Sequence, residues 1–362
     1  MMPPSSSLLL TACLLTLHAP PVRSFGSFKL PPLPWNAQPG GGSSGTVDDD
    51  DGALRPGDTV AVVGASGNVG KLVALRLSDT YKVNGIVRDV ASVGDFFAGR
   101  EDKIQLYEAD LLDETRAAAA AADGGSTAGG SCSASLTGAL RDANAVVICT
   151  GTTAFPTKAW TRSGSSNDVS RDVLDALLNN SFSVKDAIAS LDADGLNTPN
   201  NVDAASNEFV VRAWNDACRS RQKRIIMLSS IGVRRRESMP FPILNACGVL
   251  DAKAAGEDAI RTSAEDNGYS YTIVRPGQLF GGPYDNNYYL GTLFQLDKDE
   301  ETRDVRVGRG DELLGDTLRS TLAEVTAQIC EGNYGRDMDF AVVNERGESP
   351  SVEAVRERLG VL

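Results

Sequence analysis

Thr59-Val60-Ala61-Val62-Val63-Gly64-Ala65-Ser66-Gly67-Asn68-Val69-Gly70 opens the folded part of the chain and decides its class. The first five residues are a continuous β-prone run, as suits a parallel strand buried on both faces. Val69, Leu72, Val73 and Leu77 then recur at helical spacing. Between strand and helix the glycines have separate tasks. Gly64 permits the tight turn, Gly67 lets the backbone approach phosphates, and Gly70 lets the helix lie against the sheet with its N-terminal N–H groups facing the anion. With Ser66, Asn68 and Val69 they make a cradle for a dinucleotide pyrophosphate. The competing reading, a structural glycine turn, is weakened by the strand before it and the amphipathic stretch after it.

The next β-prone run, Val83 to Val87, ends in Arg88-Asp89, where a strand tip reaches an adenosine ribose. An acidic group there bonds the 2′-hydroxyl and repels a 2′-phosphate, whereas a guanidinium pairs with that phosphate. Arg88 therefore points to NADP, with NAD as the alternative because Asp89 follows. A solvated surface charge is the competing account of Arg88.

Further strand-length apolar runs follow at Ile104 to Tyr107, Ala145 to Cys149, Ile225 to Leu228, Tyr271 to Val274 and Phe340 to Val343. Helical patterns lie between them, best seen where Val202, Ala205, Phe209, Val210, Ala213, Trp214 and Ala217 form one face. Alternating strands and helices specify an α/β fold, a Rossmann-type doubly wound parallel sheet with a small C-terminal substrate-side region. It spans residues 53–362, interrupted by segments that look inserted at about 117–135 and 162–199. The second carries Val173, Leu174, Leu177, Leu178, Val184, Ile188 and Leu191, enough for one or two short helices in an otherwise disordered loop. It leaves from beyond the Ala145 to Cys149 strand, so it reads as either a lid or a surface loop.

Composition bounds the chemistry. Hydrophobic residues at 41% and charged residues at 23% of 362 are those of a soluble globular protein. No apolar run is long enough to span a bilayer, the longest candidate being Leu8 to Leu17. That run reads as the core of a signal peptide over residues 1–24, with cleavage before Phe25. Residues 25–52 form a Pro/Gly/Ser-rich, transit-like presequence and linker with no acid until Asp48. Removing residues 1–45 leaves 33 of the 35 basic residues against 48 acidic ones, a net charge of −15. Such a field disfavours nucleic acid as a partner. The basic cluster Arg219, Arg221, Lys223, Arg224 and the run Arg234-Arg235-Arg236 read as solvated faces or phosphate contacts.

The one histidine, His18, lies in the signal segment, so Ser-His-Asp hydrolysis and His-ligated zinc are excluded and no metal site is expected. Cys132, Cys149, Cys218, Cys247 and Cys330 remain after the signal, odd in number and without a Cys-x-x-Cys pair. They read as buried thiols of a reducing compartment.

The ordered motifs resemble the atypical short-chain dehydrogenase/reductase superfamily, of the NAD(P)H-binding type found in many plastid proteins. The resemblance runs from about Asp58 to Val343. Beyond the glycine turn and Arg88 it rests on Ala109-Asp110-Leu111, Cys149-Thr150-Gly151, Asn201-Val202-Asp203, Leu228-Ser229-Ser230-Ile231-Gly232, Lys253 with Glu257, and Tyr271 to Gly277. It implies that Asp110 and Leu111 contact adenine, that Thr150 and Gly151 line the cofactor, and that Pro276 and Gly277 flank the nicotinamide. It implies catalytic roles for Lys253, which also grips the ribose, and for Ser230, which orients substrate, with Ser229 as the lesser candidate. The family's tyrosine, four residues before the lysine, is Val249 here. Some members resemble this chain in using lysine without tyrosine, on conjugated double bonds or benzylic ethers. Tyr284, Tyr288 and Tyr289 are substitute proton donors by position, and Cys247 and Asp251 weaker ones.

Two functions follow as expectations. One is an NADP-dependent reductase of a small organic substrate. The other is a non-catalytic NADP-binding scaffold that assists a plastid protein complex. The N-terminal segment resembles the bipartite presequences of algae with multiply enveloped plastids, which implies a plastid stroma; simple secretion is the alternative.

Overall fold

A computed structural model describes residues 52–123, 132–163, 166–281 and 302–362. The presequence and Tyr284, Tyr288 and Tyr289 lie outside the described residues. The elements in chain order are β1 (Thr59–Val63), α1 (Gly70–Leu77), β2 (Lys82–Val87), β3 (Ile104–Glu108), α2 (Leu111–Asp123), α3 (Ala134–Arg141) and β4 (Ala145–Ile148). Then come α4 (Ser166–Asn179), α5 (Val184–Ala193), a π-helical turn (Asn200–Ala205), α6 (Ser206–Ala217), β5 (Arg224–Leu228), α7 (Phe241–Leu244), α8 (Val249–Asn267) and β6 (Ser270–Pro276). The chain closes with β7 (Gln278–Phe280), β8 (Asp304–Arg309), β9 (Asp316–Leu318), α9 (Arg319–Gly332), β10 (Met338–Glu345) and α10 (Val352–Gly360).

The main sheet has the order β3-β2-β1-β4-β5-β6-β10-β8. Every neighbouring pair is parallel except β8 against β10. Period-2 alternation divides β1 between two cores. Val60 and Val62 face a cluster with Val73 and Leu77 of α1 and Leu322, Val325 and Ile329 of α9. Ala61 and Val63 face Leu136, Leu140, Phe209, Trp214 and Ile260 on α3, α6 and α8. Helices therefore cover both faces, which is why the strand carries no polar alternation.

The C-terminal region is divided. β10 and β8 extend the sheet and α9 packs on α1, while β7 and β9 form a separate two-stranded parallel sheet. The alternation of charged and apolar residues in Asp304-Val305-Arg306-Val307 belongs to an edge strand, with β10 on one side only. The Ala117 to Ala122 run continues α2 rather than interrupting the fold. The 162–199 segment builds α4 and α5, whose Val169, Val173, Leu177, Val184 and Leu191 pack around Trp160 and Cys247. That apolar cluster orders a stretch whose polar composition suggests a loop.

The basic clusters are not solvated faces throughout. Arg219 and Arg221 are exposed, but they precede the amino end of β5. Lys223 is buried and its Nζ lies 2.8 Å from Asp58 Oδ2. Arg224 is buried in the core, donating to Thr272 Oγ1, to the carbonyls of Ile329 and Tyr334, and to Asn333 Oδ1. Arg234, Arg235 and Arg236 pair with Asp339, Asp311 and Asp251.

Arg275 of β6 is fully buried between two carboxylates. It donates to Glu257 Oε1 at 2.9 Å and Oε2 at 2.6 Å, and it pairs with Asp339. Removing one member of such a buried network strands the opposite charge away from water. Arg275→Ala is expected to cost about 3 kcal/mol or more in urea unfolding, and Arg306→Ala, whose pair with Glu345 is exposed, less than ~1 kcal/mol.

Candidate functional site

The strand order turns back on itself between β1 and β4, and the crevice beyond their carboxyl ends is where doubly wound sheets bind ligands. A cavity of about 240 Å³ occupies this place. Gly64, Ser66 and Gly67 line it from the first turn, Arg88 from the β2 tip, Asp110 and Leu111 from the β3 end, and Thr150 and Gly151 from the β4 end. The sequence-selected residues converge here from four separate segments.

The three glycines differ in what surrounds them. Gly64 has φ +77°, a left-handed conformation that only glycine adopts without strain, and any Cβ on it would stand 3.0 Å from Thr150 Cγ2. A Cβ on Gly70 would fall on the Gly64 carbonyl oxygen, so this glycine serves the turn itself as well as the helix packing. At Gly67 a Cβ would meet only Gly64 O, at 3.2 Å, and its outer side is open. No side chain caps the start of α1 and its first turn carries no acid, which leaves N–H groups and the helix dipole for an anion. Asn68 and Val69 lie in this turn beside the cavity. The residues present fit a dinucleotide phosphate.

At the rim Arg88 is exposed, while the Asp89 carboxylate accepts from Ala91 N at 2.9 Å and so closes its own turn. Asp110 accepts from Leu112 N at 3.1 Å at the start of α2 and pairs with Arg162 Nη2 at 3.0 Å. Arg162 also pairs with Asp113 at 2.8 Å. The 162–199 segment is thereby joined to the β3 side of the crevice, and Ala159 and Asn197 line the cavity.

At the other end, Lys253 of α8 lies behind Gly151. Its Nζ is 2.8 Å from Oδ1 of the fully buried Asp203, and a Cβ on Gly151 would stand 3.3 Å from both atoms. Burial pushes the Asp203 carboxyl up, while Lys253 and the N–H of Thr152 pull it the other way. Asp203 sits in the π-helical turn, which replaces the expected regular start of the central helix; there Val202 and Ser206 line the cavity. Thr150 Oγ1 donates to Asn207 Oδ1 at 2.8 Å, and Asn207 Nδ2 to the Asp203 carbonyl at 3.0 Å, which ties the turn to the β4 loop.

Seven sequence-selected residues are not among those lining this cavity: Asn68, Val69 and Gly70 follow its first turn, Lys253 lies behind Gly151, and Ser230, Pro276 and Gly277 bond elsewhere. Ser230 donates to the Ile231 carbonyl at 3.0 Å. Pro276 accepts from Ile231 N, and Gly277 is buried against Gly315, its N–H donating to Thr317 Oγ1 at 2.8 Å. Ser229 is also committed elsewhere, bonding Glu257 at 2.6 Å. Val249 is buried in an apolar cluster with Val233, Phe241 and Leu250. The five described cysteines form no disulfide, and burial pushes the Cys149 thiol up and the Cys330 thiol up to about 12. Among the described residues there is no metal-ligating cluster and no helix long and apolar enough to cross a membrane.

A family model described as NAD(P)H-binding matches residues 64–331. The chain belongs to this family. The chain shares its fold with a protein described as an NAD-dependent epimerase/dehydratase from Bacillus halodurans. The two are 19% identical with TM-score 0.51, over 84% of this chain and 100% of that one. It is similar also to the oxidoreductase ylbE from Lactococcus lactis, at 16% identity and TM-score 0.50, over 84% of this chain and 97% of that one. At these identities the likeness is one of fold. No curated protein sequence matches the chain. The NAD(P)H-binding assignment and the resemblance to the atypical short-chain dehydrogenase/reductases agree with the sheet order and with the crevice.

The glycine geometry makes two variants separable. Gly67→Ala is expected to fold like the parent protein and to lose nicotinamide-dinucleotide affinity by about tenfold or more, because its Cβ occupies the open side of the turn. Gly70→Ala is expected to lose about 1–3 kcal/mol of stability, because its Cβ collides with backbone. Thermal unfolding beside a fluorescence titration with NADPH reads both effects.

Proposed function

We propose that the crevice takes NADP and that the protein is a reductase transferring hydride to a small organic acceptor. The observation that carries the cofactor choice is the pairing of an exposed Arg88 with an Asp89 turned into its own backbone. At that tip the available charge is positive and suits a 2′-phosphate. NAD, which lacks that phosphate, is the weaker ligand in this reading.

A bound reduced nicotinamide supplies hydride to the acceptor. Lys253, held behind Gly151, grips the ribose and fixes the ring's position. The apolar cluster around Val249 stands where a phenol is needed to protonate a simple ketone, so that reaction is disfavoured. Acceptors whose reduced form is a delocalised anion need less help, since solvent protonates them afterwards. Quinones and conjugated enones fit this requirement, and Ser230, at the end of β5, is the candidate for orienting them. The same apolar replacement supports the second reading, a nucleotide-dependent scaffold that assists a plastid complex without turnover. The presequence features support, for either activity, a plastid stroma, with secretion as the alternative.

Parallel titrations with NADPH and NADH, followed by oxidation of the bound cofactor with quinones, enones and simple ketones, separate these readings. The reductase reading expects NADPH to bind at least about tenfold more tightly than NADH, and Arg88→Ala to remove the difference. It expects turnover with quinones or enones and none with simple ketones. Tight binding without turnover moves the weight to the scaffold, and a preference for NADH overturns the role of Arg88.

A further inference from the structure

Lys253 is not a freely available ammonium, and what holds it has a consequence for the site. Its Nζ lies 2.8 Å from Asp203 Oδ1, and both residues are buried. The second carboxylate oxygen of Asp203 accepts from Thr152 N at 3.2 Å. The backbone carrying Asp203 is held as well: its carbonyl accepts from Asn207, and Gly256 of α8 leaves the room for that carbonyl, since a Cβ there would stand 2.5 Å away. Thus α8, the π-helical turn and the β4 loop meet at one buried ion pair, separated from the crevice by the missing side chain of Gly151.

We propose that Asp203 is the positioning residue of the site: it keeps Lys253 charged and stationary, so that Lys253 acts as a ribose clamp and not as the proton donor to substrate. The proposal rests on the cofactor reading above. If Lys253 gave up its proton to a substrate, Asp203 would remain as a buried carboxylate with no cation beside it, which is strongly unfavourable. Among the described residues no other charge relieves it. On α8 Glu257 is taken up by Arg275 and Arg261, and Asp251 by Arg236. At the β4 end Cys149 is a neutral thiol, and at the β5 end Ser229 bonds Glu257. Lys253 is the charged group acting on Asp203. An ammonium has three donors. Asp203 occupies one, leaving two for the hydroxyls of a sugar on the crevice side of Gly151.

The test is the pH dependence of NADPH affinity, read by nicotinamide fluorescence between about pH 7.5 and 10, above the titration of the 2′-phosphate. Parent protein is expected to bind with a flat profile. In Asp203→Asn the lysine is buried without a counter-charge, which lowers its proton affinity. That variant is expected to bind about tenfold more weakly at neutral pH and to lose a further factor of about ten across the range. Asp203→Glu is expected to restore the flat profile. Lys253→Gln should be weak at every pH with no slope, which keeps the test decisive should Asp203→Asn fail to fold: an affinity in Lys253→Gln equal to that of parent overturns the proposal. A folded Asp203→Asn with the affinity and flat profile of parent overturns the role of Asp203 alone. Failure of the parent to bind NADPH at any pH overturns the cofactor reading together with it.

Discussion

β1 pairs in parallel with β2 on one side and β4 on the other, and the rest of the molecule depends on that arrangement. Because the connections from those neighbours run outward in opposite directions, a crevice is left at the carboxyl end of β1. Backbone N–H groups at the start of α1 are left there without side-chain caps. The position is electrostatically favourable for an anion and expensive to leave to bulky side chains, which is why Gly64 and Gly70 meet where any Cβ would collide. The sheet makes the crevice, and the glycine turn keeps it open.

Much of this was legible in the residues. Continuous apolar runs mark strands buried on both faces, and seven of them appear in the structure within a few residues of their expected limits. β7, β8 and β9 were not legible: two are three residues long, and β8 carries the charges of an edge strand. The ionic interior was hidden for a related reason. Lys223 and Arg224 adjoin an apolar run and look like its solvated flank, yet the strand begins at Arg224, whose guanidinium satisfies carbonyls at the end of α9. Only the fold shows which charges have partners.

The site was legible in its cofactor half and much less in its reactive half. Gly64, Gly67, Arg88, Asp110 and Thr150 come together because each lies at the end of a parallel strand, a position that sequence order specifies. Ser230, Pro276 and Gly277 lie at strand ends too, but their hydrogen bonds are spent within the β5, β6 and β9 region. Asp203 was visible as a residue and its pairing with Lys253 was not. Its significance comes from a π-helical turn and a contact fifty residues away, neither of which leaves a periodic signal. The valine at position 249 was plain in the sequence, and the structure shows its surroundings: with Val233, Phe241 and Leu250 it forms a buried apolar cluster.

Amide hydrogen exchange with and without NADPH tests the central claim, that the β1–β4 crevice is the nucleotide site, without reference to any substrate. The account predicts new protection confined to the Gly64 to Gly70 turn, the Arg88 tip, the start of α2 and the Thr150 to Thr152 loop, with α9 and α10 unchanged. Protection centred elsewhere, or no change at saturating NADPH, would contradict it.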